Sequence, residues 1–202
     1  MAHNVRGQVS EARTRLLATA SRIFYAEGLH SVGIDRIVAE AKVTRATLYR
    51  HFASKDELVV AYLRSVAELE RGLVAAAVDG DRSAPDALRA LAASIAEAIG
   101  SDGFRGCAFL NAAAEYPDAA HPVHATVLEH RAWFQGAVTD LFARMDEETA
   151  ESAGRHFMLL RDGAMAAGCL ADAERVGETF VAGVEGLLGY RSDPAARARL
   201  AT

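Results

Sequence analysis

The sequence has little proline, little cysteine and no long apolar run. Only four of its 202 residues are Pro, and runs of β-branched residues are few, so an all-α fold is expected. The two Cys, at 107 and 169, lie far apart in expected helices. That excludes a disulfide framework and suits a reducing cytoplasm. The longest apolar runs, near Leu73–Val78 and Ala164–Ala171, are far short of a bilayer span. No hydrophobic segment follows the start, so neither a membrane helix nor a signal peptide is expected. Internal repeats and low-complexity linkers are missing too. So are a glycine-rich phosphate loop and a supported Ser–His–Asp or Cys–His arrangement, which argues against an enzyme and against a cofactor. His121 and His124 lie three apart, but Pro122 falls between them at a helix start. Neither they nor His130 has a Cys or acid to complete a set, so no metal is expected.

What the chain does have is apolar bulk and an uneven charge. About half the residues (51%) are hydrophobic, enough for a sizeable core. The net charge of −5 argues against nucleic acid, but its distribution reverses that. Residues 1–52 hold eight basic and four acidic residues, and the remainder 14 basic and 23 acidic. A basic head on an acidic body concentrates an anion-attracting field at one end.

The stretch from Ile34 to Leu58 organises the rest. Ile34, Ile37, Val38 and Ala41 give a first short helix an apolar face. Lys42 and Val43 make a turn, and Thr44 is placed to cap a second helix. On that helix Leu48 and Phe52 fall four apart and pack inward, while Arg45 and Tyr49 share another face with Ala46 and Arg50 beside them. A short helix with a cation, a phenol and a hydroxyl on one side, and almost no acid, suits phosphate. The pattern is a helix-turn-helix, whose second helix enters the major groove. Ser54-Lys55-Asp56-Glu57 then reads as a capping box opening a long helix. Lys55 has the wrong sign for a helix N-terminus, which makes sense if a phosphate also lies there.

Val-Thr-Arg-Ala-Thr-Leu-Tyr-Arg-His-Phe-x-Ser-Lys-x-Glu-Leu, at Val43–Leu58, resembles the signature of the tetracycline-repressor (TetR) family of transcriptional regulators. The likeness extends through Phe24, Glu27, Gly28, Ile37 and Ala41. It covers about the first quarter of the chain. Gly33 departs from it, standing where the family usually has Thr, so a phosphate-contacting hydroxyl is missing. Lys42 replaces the usual turn Gly, so a non-Gly residue is expected at positive φ. Ala46 replaces a common Gly. The resemblance implies double-stranded DNA as partner, bound by Thr44, Arg45, Thr47, Tyr49, Arg50, His51 and Lys55. Arg45 is the candidate for base readout, Thr47 for a thymine methyl or a phosphate, and Arg50 for either role. The others position on phosphates.

The remaining helices are expected over Glu11–Glu27 with Gly28 as cap, Ser54–Val78, Pro85–Ile99, Phe104–Asp118 ended by Pro117, His121–Met145, Asp146–Gly168 and Asp172–Tyr190. Before them Met1–Ser10 is an arm with Arg6, either a frayed terminus or a reach to DNA. After Asp193-Pro194 comes a turn of frayed helix. The count is about nine. The resemblance implies residues 1–53 as a three-helix DNA-binding domain and 54–202 as a helical effector-binding and dimerisation domain. Small residues crowd the last two helices, Gly154, Gly163 and Gly168 on one and Gly183, Gly186 and Gly189 on the other. They indicate close helix approach, within a subunit or across a dimer; the resemblance makes it the homodimer interface.

The resemblance also places a small-molecule pocket in the body. Cys107, Asn111 and Glu115, four apart among Ala residues, form a polar stripe that is either a pocket wall or satisfied core and surface groups. Phe104, Trp133, Phe109 and Phe134 are either aromatic walls or plain core. Arg161-Asp162, in an otherwise apolar helix, is either a structural pair or part of the pocket. Cys107 is either a small hydrophobe or a thiol sensor beside Arg105. The expected function is a sequence-specific cytoplasmic transcriptional regulator, a repressor released from a palindromic operator by an effector. The competing classes are an all-helical enzyme or binding protein, a Cys107 redox sensor and a non-specific nucleic-acid packager.

Overall fold

The computed structural model describes residues 10–192, with side chains to residue 189. The arm with Arg6 and the turn after Asp193 lie outside the described residues. Among those described are nine helices and no strand: α1 (Glu11–Glu27), α2 (Ile34–Glu40), α3 (Arg45–His51), α4 (Lys55–Val78), α5 (Ala84–Ile99), α6 (Ala108–Glu115), α7 (Pro122–Ala143), α8 (Ala150–Ala167) and α9 (Ala173–Ser192).

Local chemistry sets most of these boundaries. α1 buries Leu16, Ala20, Ile23 and Phe24 on one stripe and ends where Gly28 takes φ 92°. Ser54 Oγ accepts from Glu57 N–H, and the Glu57 carboxylate reaches back to accept from Ala53 N–H, completing a capping box one residue early. Ser83 caps α5, with Pro85 in its first turn.

Two expected helices are shorter than the sequence suggests. The one expected over Phe104–Asp118 spans only Ala108–Glu115. Gly103 and Gly106 both adopt positive φ, 77° and 83°, so Phe104–Gly106 is loop and Cys107 is the N-cap. At the other end Pro117 drives Tyr116 out of the helical region. The helix expected from Asp146 starts at Ala150, after a turn in which Thr149 Oγ1 donates to Asp146.

The buried residues form one connected cluster from Leu16 in α1 to Leu188 in α9. α4 is the spine, packing against α1 at one end and against α5, α6 and α7 along its length. α5 packs on α9, α7 on α8 and α8 on α9. Some of the small residues serve these contacts. A Cβ at Gly154 would meet Thr139 Oγ1 at 2.1 Å, and one at Gly168 would meet Ile99 Cγ2 at 2.6 Å. Gly163 and Gly186 have open space instead.

Candidate functional site

The turn between α2 and α3 runs through Lys42 at φ 54°, the positive φ expected there. Thr44 Oγ1 accepts from Thr47 N–H at 3.1 Å and fixes the start of α3. Leu48 and Phe52 are fully buried. They press α3 onto the head and leave Thr44, Arg45, Tyr49 and Arg50 exposed on the opposite face. Half of Tyr49 (49%) is in solvent. Arg45 is docked on Asp35 of α2 through two hydrogen bonds, and its guanidinium holds the Asp35 carboxyl below the usual carboxylate range. His51 Nε2 lies 3.3 Å from Ser10 Oγ. Lys55 Nζ donates to His30 O at 3.4 Å, and partial burial lowers its pKa. Gly33 caps α2 without a side chain, so the hydroxyl is missing.

The head is fastened to the body by α6 and the loop before it. Tyr25 Oη accepts from Arg105 N–H and donates to Gly106 O, both at 3.0 Å. The Glu115 carboxylate accepts from the backbone N–H groups of Leu29 and His30. Tyr116 Oη donates to Asp56 at 3.1 Å at the start of α4.

Deeper in the body α4, α7 and α8 each contribute a charged or titratable group to one cluster. Arg161, only 3% exposed, donates from Nη2 to both Glu70 oxygens at 3.1 and 3.0 Å. His130 Nε2 donates to Glu70 Oε2 at 3.1 Å, and its ring stacks on Phe109 with centroids 3.7 Å apart. Burial raises the Glu70 pKa, but the hydrogen bond from His130 and the charge of Arg161 outweigh it and hold the carboxyl below its usual range. Arg131 Nη2 pairs with Asp162 at 2.6 Å. Beside the cluster α4, α5, α7 and α8 line a cavity of about 110 Å³ bordered by Glu70, Phe134 and Arg161, with exposed Leu73 and Ala98 at its open side.

The seven expected pocket residues do not come together. Arg161 lines the cavity, and Asp162 pairs with Arg131 beside it. Cys107 is buried at the foot of α6, with Arg161 Nη1 donating to its Sγ at 3.7 Å. Trp133 lies under the Arg71 guanidinium, 4.9 Å from Cζ to ring centroid. Phe104, Asn111 and Glu115 border a different, open cleft of about 550 Å³ between α1, α4, α6 and the end of α8. Glu115 turns to the head, and Asn111 Nδ2 donates to Arg105 O at 2.9 Å. Sequence reasoning missed Glu70 and Tyr25 and weighed His130 only as a metal ligand. Among the described residues no group of three His, Cys, Asp or Glu is placed to hold a metal, and no helix is long and apolar enough to cross a membrane.

An outward basic recognition helix, braced on α1 and joined through α4 to a larger helical body, defines a helix-turn-helix DNA-binding regulator. The family described as bacterial regulatory proteins, tetR family, matches residues 16–62. A TetR-family transcriptional regulator from Streptomyces coelicolor is 61% identical, with TM-score 0.88 over 91% of this chain and 97% of that one. The chain belongs to the TetR family of transcriptional regulators. A tetr-transcriptional regulator described as putative, from Streptomyces avermitilis, is 26% identical with TM-score 0.79, over 91% of this chain and 99% of that one. The HTH-type transcriptional activator FasR of Mycolicibacterium smegmatis is 44% identical over 54 residues. That match spans 27% of this chain and 25% of FasR, so it covers only a quarter of the curated relative.

Proposed function

We propose that this DNA-binding regulator is a homodimeric repressor, released from a palindromic operator when a small molecule enters the cavity of its body. Residues 1–53 read DNA, and residues 54–202 sense and dimerise. Arg45 reads bases. Thr44, Tyr49, His51 and Lys55 hold phosphates, and Thr47 and Arg50 sit where either contact is within reach.

The observation that carries this reading is that one helix touches both sites. α4 bears Lys55 against the head and Glu70 at the cavity wall. They are about 22 Å apart at the rise of an α-helix. An occupant that displaces Glu70 tilts α4 as a lever. Two recognition helices must meet successive major grooves about 34–36 Å apart, so a small pivot breaks the match. Effector and operator affinities are then reciprocally coupled.

For dimerisation the support is an apolar groove along α8 and α9, lined by Leu159, Gly163, Ala164, Val176 and Phe180, with Leu159 70% exposed. One short recognition helix covers few base pairs, and a two-fold pair doubles the contact.

Selection from a random duplex library at two salt concentrations tests this. A palindrome with half-sites one turn apart and a steep salt slope supports it. Binding without enrichment, lost at moderate salt, sinks it. A second reading, thiol sensing, is favoured by the Arg161 guanidinium at Cys107 Sγ. It predicts that oxidised protein releases a selected operator and that Cys107→Ser stays bound.

A further inference from the structure

Arg161 has a hydrogen bond left over. Its Nη2 is spent on Glu70, and Nη1 reaches Cys107 and Asp162, but Nε has no partner although it is buried. An unmet buried donor calls for an explanation, because its lost hydration is not repaid. The side chain that carries it borders the 110 Å³ cavity.

The rest of the lining narrows what fits. Leu91, Ile95, Phe134 and Met165 make the walls apolar. Ser94 already spends its hydroxyl hydrogen on Leu91 O at 2.9 Å. Both Glu70 oxygens accept from Arg161, and one also accepts from His130, so the carboxylate's charge is already matched and does not favour a cationic ligand. Arg161 is neutralised by Glu70, and Arg131 by Asp162. A third carboxylate would enter with no free cation to offset its desolvation. An apolar cavity of ~150 Å³ holds benzene; this one is smaller but opens past Leu73, which is 45% exposed, so an occupant of about one ring fits it with part of its surface toward solvent.

Resting on the effector reading of this cavity, we infer that its ligand is a small, uncharged, largely apolar molecule carrying one accepting oxygen. A ketone, aldehyde or ester carbonyl placed against Arg161 Nε–H fits that description. The apolar body lies against the walls, and the oxygen takes the Arg161 Nε–H, which is buried without a partner and belongs to a residue lining the cavity.

Three probes of similar shape separate the possibilities: cyclohexanone, methylcyclohexane and cyclohexanecarboxylate. Each is titrated calorimetrically into the full-length protein. Cyclohexanone is expected to bind roughly five- to tenfold more tightly than methylcyclohexane, the worth of one net hydrogen bond, and cyclohexanecarboxylate more weakly than either. Ala98→Leu narrows the exposed rim of the cavity without touching the charged cluster and should weaken binding of all three. Arg161→Lys keeps a cation against Glu70 and should erase the preference for cyclohexanone while sparing methylcyclohexane. Tighter binding of the carboxylate, no binding of any probe, or binding unchanged by Ala98→Leu overturns the inference. Cyclohexanone bound in this way without weakening a selected operator complex leaves the ligand class standing and removes the effector reading.

Discussion

Glu115 holds His30 twice. Its carboxylate accepts from the His30 backbone N–H at 2.6 Å, and its own carbonyl accepts from His30 Nε2–H at 2.8 Å. The same carboxylate takes the Leu29 N–H at 2.8 and 2.9 Å. α6 of the body thereby caps the loop that follows α1, and the head has a second attachment besides the α4 hinge.

Glu115→Ala should free that loop. The Leu29 and His30 amides lose their acceptor, so their hydrogen exchange should accelerate at least tenfold. Global stability should fall by about 1–3 kcal/mol, the cost of stranding part-buried donors. Unchanged exchange at both amides would show that the capping does not hold in solution.

If Arg45 reads bases as proposed, it meets a competitor before it meets DNA. Asp35 occupies its guanidinium and must yield for the side chain to reach a guanine edge. Asp35→Asn should therefore raise operator affinity without altering the preferred sequence. Arg45→Ala should change the preference, and Lys55→Ala should weaken all sequences alike. Affinity lost on Asp35→Asn would mean that Asp35 aims Arg45 instead of restraining it.

Gly33 leaves room for the hydroxyl it lacks. It is the N-cap of α2 in extended backbone, φ −83° and ψ 152°, and an added Cβ would meet nothing within 4 Å. Gly33→Thr should raise stability by a few tenths of a kcal/mol and tighten binding to DNA of any sequence. Thermal melts and anisotropy titrations read the two effects, and weaker DNA binding would contradict a phosphate contact at position 33.

Glu70 makes the body sensitive to acid. Its folded pKa is depressed, so its stabilisation is complete above the unfolded value of about 4.3. It is lost as pH falls through the lower folded value. Glu70→Gln strands Arg161 and should cost about 3–5 kcal/mol near neutrality. The deficit should shrink as pH drops below 4 in denaturant melts. A deficit independent of pH would mean that Glu70 is not ionised in the folded protein.

These residues also show where sequence reasoning reached its limit. The bounds of α1 and α4, the Thr44 cap and the strained turn at Lys42 follow from neighbours within four residues, and all were readable. The Cys107–Asn111–Glu115 stripe keeps its register on α6 but not a common surrounding: Cys107 is buried against Arg161, Asn111 turns to Arg105 O and Glu115 to the head, and none of these partners can be read from the spacing. Glu70 left a signal that was not used. It falls on the buried stripe Leu63–Ala67–Glu70–Val74 of α4, as His130 falls on Val123–Val127–His130–Phe134 of α7. A titratable group on an apolar stripe needs a partner. That the two share one, and that Arg161 supplies the charge, depends on how three helices pack and is written in none of them alone.

The ring of Phe24 in α1 lies 6.0 Å from that of Tyr62, two turns into α4, and Leu58 and Leu63 are fully buried there. The family match likewise runs on to residue 62. Anyone grafting this head onto another sensor would do well to carry the chain through Leu63 and to supply an acceptor for the Leu29 and His30 amides. A splice just after α3 would transplant the reading surface without the floor it stands on.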